Sequence, residues 1–105
     1  MASDINYLHF VLDQLSELEC ISFRSMMGEY ILYYRDKIIG GIYDDRFLIK
    51  PVKAAKALLP DAPYEIPYEG AKEMLLVTEL DDRKFLAKLI DAMYAELPSP
   101  KKKKG

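Results

Sequence analysis

Phe23-Arg24-Ser25-Met26-Met27-Gly28-Glu29-Tyr30-Ile31-Leu32-Tyr33-Tyr34 reads as two strands bent around one glycine. Ile21 and Phe23 alternate with Ser22 and Arg24, the period of a half-buried strand. Gly28 permits a backbone turn that a side chain would resist. Tyr30 to Arg35, rich in aromatic and branched residues, then predicts a second strand. After the polar break Asp36-Lys37, Ile38 to Tyr43 reads as a third strand. After Asp44-Asp45, Arg46 to Lys50 reads as a fourth, with Phe47 and Ile49 on one side. Gaps this short join consecutive hairpins, so the centre of the protein is an antiparallel meander.

Before the meander, the segment Asp4 to Leu18 places Ile5, Leu8, Leu12 and Leu15 on one face of an amphipathic helix, with Ser3 as its N-cap. Pro51 opens a second helix through Val52 to Leu59, which Pro60 and Pro63 end. Residues 60–73 hold three prolines and Gly70 and are expected to be a loop. Met74 to Thr78 fits a fifth strand. Thr78 or Asp81 can cap a last helix with Leu86, Leu89, Ile90, Met93 and Leu97 as its apolar stripe. The order α-β-β-β-β-α-β-α predicts a two-layer α+β domain, a five-stranded antiparallel sheet with helices on one face. Residues 1–97 form this single domain, and 98–105 are expected to be a disordered basic tail. Turning Phe23, Phe47 and Ile49 to the core leaves Arg24, Arg46, Leu48 and Lys50 outward, and Tyr33 and Arg35 opposite Tyr30 and Tyr34. A half-apolar outer face points to a protein partner or a homodimer.

Composition sets bounds on function. The 105 residues are half apolar, with no run near the roughly 20 residues that span a bilayer and no basic-then-apolar leader. Cys20 is the only cysteine, which rules out an intrachain disulfide and a cysteine-built zinc site. Together these point to the cytoplasm and to no membrane partner. Residues 1–100 carry 11 basic and 17 acidic residues, a net of −6, which argues against nucleic-acid binding through overall charge.

No catalytic, cofactor-binding or metal-ligating set emerges. His9, the only histidine, lies off the helical stripe, and a dyad with Cys20 lacks a third group to orient the imidazole. Asp44-Asp45 and Asp81-Asp82 read as a turn and a helix start. Gly40-Gly41 lacks the spacing of a phosphate loop and predicts a bulge or close backbone packing beneath a helix. Met26-Met27 reads as core filling rather than as a pliable contact surface. Arg24, Tyr33, Arg35, Arg46 and Lys50 interleave cations with aromatic rings across the meander and are the candidate contacts for a partner or for single-stranded nucleic acid. Three readings stay open: a protein-interaction domain, a nucleic-acid-associated domain using those Arg and Tyr residues, and a small-molecule or enzymatic site around His9 and Cys20.

The opening run, with Lys37-Ile38-Ile39, Asp44-Asp45-Arg46-Phe47-Leu48-Ile49-Lys50 and Pro63-Tyr64, resembles the N-terminal domain of the TfoX (Sxy) competence-regulator family. The family pattern runs aromatic-Arg-x-Met-Phe-Gly-x-Tyr-x-Leu-Tyr, a hairpin, then Asp-Asp-Arg-x-Tyr/Phe-Leu-Lys. Met27 stands where Phe is usual and Ile31 where Gly is common. The resemblance implies a secretion-chaperone-like α+β domain in a bacterial cytoplasmic protein linked to transcriptional control of DNA uptake, without enzymatic activity. It also implies a stand-alone version lacking the helical C-terminal domain of full-length regulators.

Overall fold

The computed structural model describes residues 4–97. The expected Ser3 cap and the basic tail at 98–105 lie outside the described residues. Helix α1 spans Ile5–Gln14 and is capped by Asp4, whose carboxylate accepts from the Asn6 amide at 2.9 Å. It is shorter than the predicted segment, and it buries Leu8, Val11 and Gln14, continued by the buried C-cap Leu15, with Ile5 exposed in the first turn.

The meander is present: β1 Ile21–Met26, β2 Glu29–Tyr34, β3 Lys37–Ile42 and β4 Phe47–Ile49, each antiparallel to the next. The first two connections are two-residue turns, and in the third the hydrogen-bonded pair Tyr43 and Arg46 extends the hairpin to leave Asp44-Asp45 as its two-residue turn. Their central residues sit at positive φ: Met27 and Gly28 at 53° and 87°, Arg35 and Asp36 at 51° and 70°, Asp44 and Asp45 at 54° and 58°. These are type I′ turns, whose twist matches that of the strands they join. Tyr43 and Arg46 exchange both backbone hydrogen bonds across the last of them, at 2.9 and 3.0 Å.

Helix α2 spans Lys53–Leu58. A strand that the loop expectation missed, β5 Tyr64–Glu65, then pairs with β6 Met74–Leu76, and β6 pairs with β4. The sheet therefore has six strands, not five, in the order β1-β2-β3-β4-β6-β5. Helix α3 spans Arg83–Met93 and is capped by Asp82, one residue beyond the predicted Asp81, through a 3.0 Å bond from the Phe85 amide.

As predicted, the first and last helices cover one face. Leu8 and Val11 of α1 with its C-cap Leu15, and Leu86, Leu89, Ile90 and Met93 of α3, share a core with Leu32, Ile42, Phe47, Ile49 and Leu75 of the sheet. Arg83 pins the two helices together, donating to Asp13 at 2.6 Å and to Gln14 at 3.2 Å. Gln14, the one polar residue buried among the described residues, also donates to the Leu80 carbonyl.

The outer face departs from expectation. Leu48, placed outward by alternation, has no exposed surface. The chain after β5 crosses that face, setting the Tyr68 ring 6.0 Å from the Tyr43 ring, and Tyr43 is itself 7% exposed. Beneath them Gly41 leaves room for the ring: a Cβ there would meet a Tyr43 ring carbon at 2.7 Å. The register shift adjoins the pair: Gly40 and Gly41 stand opposite Leu32 and Ile31, and Ile39 is the extra residue before Ile38, which stands opposite Tyr33. The close packing of the two glycines is against β4 and the Tyr43 ring rather than under a helix.

Candidate functional site

The site is built on β1. With β2 on one side and no strand of the described residues on the other, β1 is an edge of the sheet along its whole six-residue length. Its pairing fixes which backbone groups are free. Met26 and Glu29 flank a two-residue turn and so form a hydrogen-bonded pair. By alternation Arg24 with Ile31 and Ser22 with Tyr33 do the same, and the 3.0 Å bond from the Arg35 amide to the Cys20 carbonyl continues the series. The N–H and C=O groups of Ile21, Phe23 and Ser25 therefore point away from β2, toward solvent.

Side chains follow the same logic. Phe23 lies opposite buried Leu32, which puts Phe23 and Ile21 on the helix-covered face, and the Phe23 ring packs edge-on against Tyr30 at 6.0 Å. The cover is incomplete there, and Phe23 remains 40% exposed. Beside it runs a groove of roughly 500 Å³ between β1 and the end of α1, walled by Leu12, Leu15, Leu18, Ile21 and Phe23. At the far end the β1–β2 turn holds Met27 at 96% exposure, with Met26 at 41%. Met27 is thus not core filling. The left-handed conformation at the turn, set beside Gly28, points it off the tip of the hairpin.

The five residues singled out from the sequence do not converge. Arg24 and Tyr33 share the outer face of β1 and β2, where Arg24 is exposed and Tyr33 half-buried. Arg35 stands in the β2–β3 turn with its guanidinium 5.5 Å from the Tyr34 ring centre and 5.7 Å from that of Tyr94, a cation–π role. Lys37 joins this cluster, its Nζ lying 4.1 Å from the Tyr94 ring centre and donating to the Tyr94 carbonyl at 3.1 Å, where it meets the C-terminal end of α3. Arg46 is engaged inside the protein, by an ion pair to Glu65 and a 3.1 Å bond to the Tyr43 carbonyl. Lys50 borders a separate outer-face groove with Tyr43, Tyr68 and Met74. Arginine types alone could not separate these fates, since each depends on a residue distant in sequence.

Cys20 and His9 are both exposed, but only Cys20 borders the β1–α1 groove. Among the described residues no three His, Cys, Asp or Glu side chains are grouped to hold a metal ion, and no helix is long and apolar enough to cross a membrane. The phenols with shifted pKa values are structural. Burial first, then the 2.9 Å hydrogen bond to Asp91 and the charge of that carboxylate, pushes Tyr34 up, with Arg35 pulling the other way. Burial also raises Tyr43, followed by the proximity of Tyr68 and Glu29.

Comparison with known proteins bears on this geometry. The TfoX N-terminal domain pattern matches residues 13–97. An uncharacterized 12.7 kDa protein in the trpE 5′ region of Spirochaeta aurantia is 32% identical over 106 residues, covering 100% of this chain and 92% of that protein. No solved structure matches the chain.

Proposed function

The chain belongs to the TfoX N-terminal domain family, and from that premise we propose that it is a non-enzymatic regulatory module of the cytoplasm that works by binding another protein through its β1 side. One observation carries this reading: the open β1 edge continues into an apolar groove on one flank and an exposed methionine at the hairpin tip. Main-chain groups that accept an added strand, next to a groove for its alternate side chains, are the elements of strand-addition recognition. The family's link to transcriptional control of DNA uptake would place the output in gene expression. The Arg and Tyr residues offered for nucleic acid give this surface less support, because Arg35 and Arg46 are held by partners within the chain.

A photo-crosslinking amino acid at position 27, introduced in the native cell, tests the reading. The expected result is a covalent adduct to a second protein that is absent when the same group is placed at exposed Lys56 on α2. Equal labelling from both positions, or none from 27, would overturn it.

A further inference from the structure

The two edges of the sheet are treated differently. At one end β5 is two residues long, too short to template another strand, and its Glu65 is tied to Arg46. At the other, β1 runs for six residues, roughly 20 Å of strand, with no proline, no bulge against β2 and a single charged side chain, Arg24. An edge left this regular, with half-exposed Phe23 on its helix-covered face, costs solubility unless something pairs with it.

We propose that the occupant is a second copy of this chain: two β1 strands pair antiparallel about a two-fold axis at Phe23, joining the two six-stranded sheets into one. This rests on the reading of the β1 side as the interaction surface and names what fills it. Three features select a copy of the chain rather than an unrelated strand. The outward groups of Ile21, Phe23 and Ser25 are centred on Phe23, so the antiparallel arrangement sets Ile21 of one copy opposite Ser25 of the other and Phe23 opposite Phe23, and every outward donor meets an acceptor. An axis perpendicular to the sheet keeps both helix layers on the same side, so each Phe23 closes the groove that the other copy builds from Leu12, Leu15 and Leu18. Charge selects the direction. Glu17 and Glu19 precede the strand and Arg24 lies toward its end, so antiparallel pairing carries each Arg24 toward the acidic start of the other copy, whereas parallel pairing would set like on like. The same arrangement brings Met27, the most exposed apolar side chain, against the α1–β1 junction of its mate.

Light scattering after size exclusion, over a wide range of concentration, measures the outcome. The full chain is expected to pass from monomer to dimer. Ser25→Pro removes an outward N–H without touching the β1–β2 ladder, and Phe23→Asp places two carboxylates face to face at the axis. Each is expected to weaken the dimer by at least about tenfold, with far-UV circular dichroism and melting temperature confirming that the fold persists. Arg24→Glu is expected to weaken it, and adding Glu19→Lys to restore it. A chain that stays monomeric at every concentration would overturn the proposal, as would a dimer indifferent to both Ser25→Pro and Phe23→Asp. A monomer that still crosslinks from position 27 to another protein overturns the dimer alone. A Ser25-sensitive dimer whose position-27 crosslinks join only two copies of this chain overturns the reading of a heterologous partner alone.

Discussion

Gly40→Ala should destabilise the fold severely, and the reason is the distance between two backbones. A Cβ on Gly40 would lie 2.0 Å from the Leu48 carbonyl oxygen, 2.7 Å from the Ile49 Cα and 2.9 Å from the Leu48 carbonyl carbon. Non-bonded carbon and oxygen atoms need about 3.4 Å, so β3 and β4 would have to part by about 1.4 Å. None of the atoms met belongs to a flexible side chain that could swing away. Parting the strands breaks the Gly40–Ile49 pairing and strains the 2.9 Å bond from the Lys50 amide to the Ile39 carbonyl. Two weakened backbone bonds cost about 2 kcal/mol, and the overpacking itself about 2 kcal/mol more. The gain of up to about 1 kcal/mol from a less flexible unfolded chain does not offset this. A net loss of about 3 to 4 kcal/mol is a large part of the roughly 5 to 15 kcal/mol that a domain possesses. Urea unfolding followed by far-UV circular dichroism suits a chain without tryptophan, and the midpoint should fall by about 2 M. Gly70→Ala supplies the control. Its Cβ meets nothing within 4 Å, so only the left-handed φ of 87° opposes it, at a cost of about 1 kcal/mol. If Gly40→Ala proved no more damaging than Gly70→Ala, the close approach of β3 to β4 would be wrong.

Leu48→Ala should cost about 3 kcal/mol in the same assay, because Leu48 is fully covered on the outer face; a loss below about 1 kcal/mol would mean that the face is open. Tyr34→Phe should cost about 1 kcal/mol near neutral pH through the lost bond to Asp91. The Tyr34 pKa is raised above 10.0 in the folded protein, so its contribution is complete below that pH and is lost as pH climbs through the folded value. The melting temperature of the parent protein should therefore fall more steeply above pH 10.0 than that of the Tyr34→Phe variant. Met27→Asn should stabilise the hairpin by about 0.5 to 1 kcal/mol, since asparagine accepts the left-handed φ of 53° better than methionine does; a lower melting temperature would contradict the type I′ assignment.

What the sequence made legible was local. Alternation around Phe23, the breaks at Asp36 and Asp44-Asp45, and the stripe from Leu86 to Met93 each report on neighbours within a turn or a hairpin, and the structure has those elements where the pattern puts them. The errors lie where a long-range contact decides. Tyr64–Glu65 is a strand only because β6 lies beside it, in a stretch whose prolines otherwise read as loop. Leu48 is buried only because the chain near Tyr68 returns over it. Arg35 and Arg46 look alike in sequence, and Tyr94 and Glu65 determine what each does.

The candidate site was illegible for a stronger reason: being an edge is a property of strand order, not of a strand. β1 and β4 both carry alternating or apolar runs suited to a sheet, and the meander alone leaves both free. The late strand β6 must add to one of them. It adds to β4, so Phe47, Leu48 and Ile49 become fully buried interior residues. Had it added to β1 instead, the outward groups of Ile21, Phe23 and Ser25 would be satisfied within the chain and the groove beside Leu12 and Leu15 would be covered. The difference is visible in composition once the order is known. β4 has no charged side chain between Phe47 and Ile49, whereas β1 places serines and an arginine around its apolar residues. That pattern meets water better than the run Phe47 to Ile49 would, while Phe23 stays half-exposed on the edge.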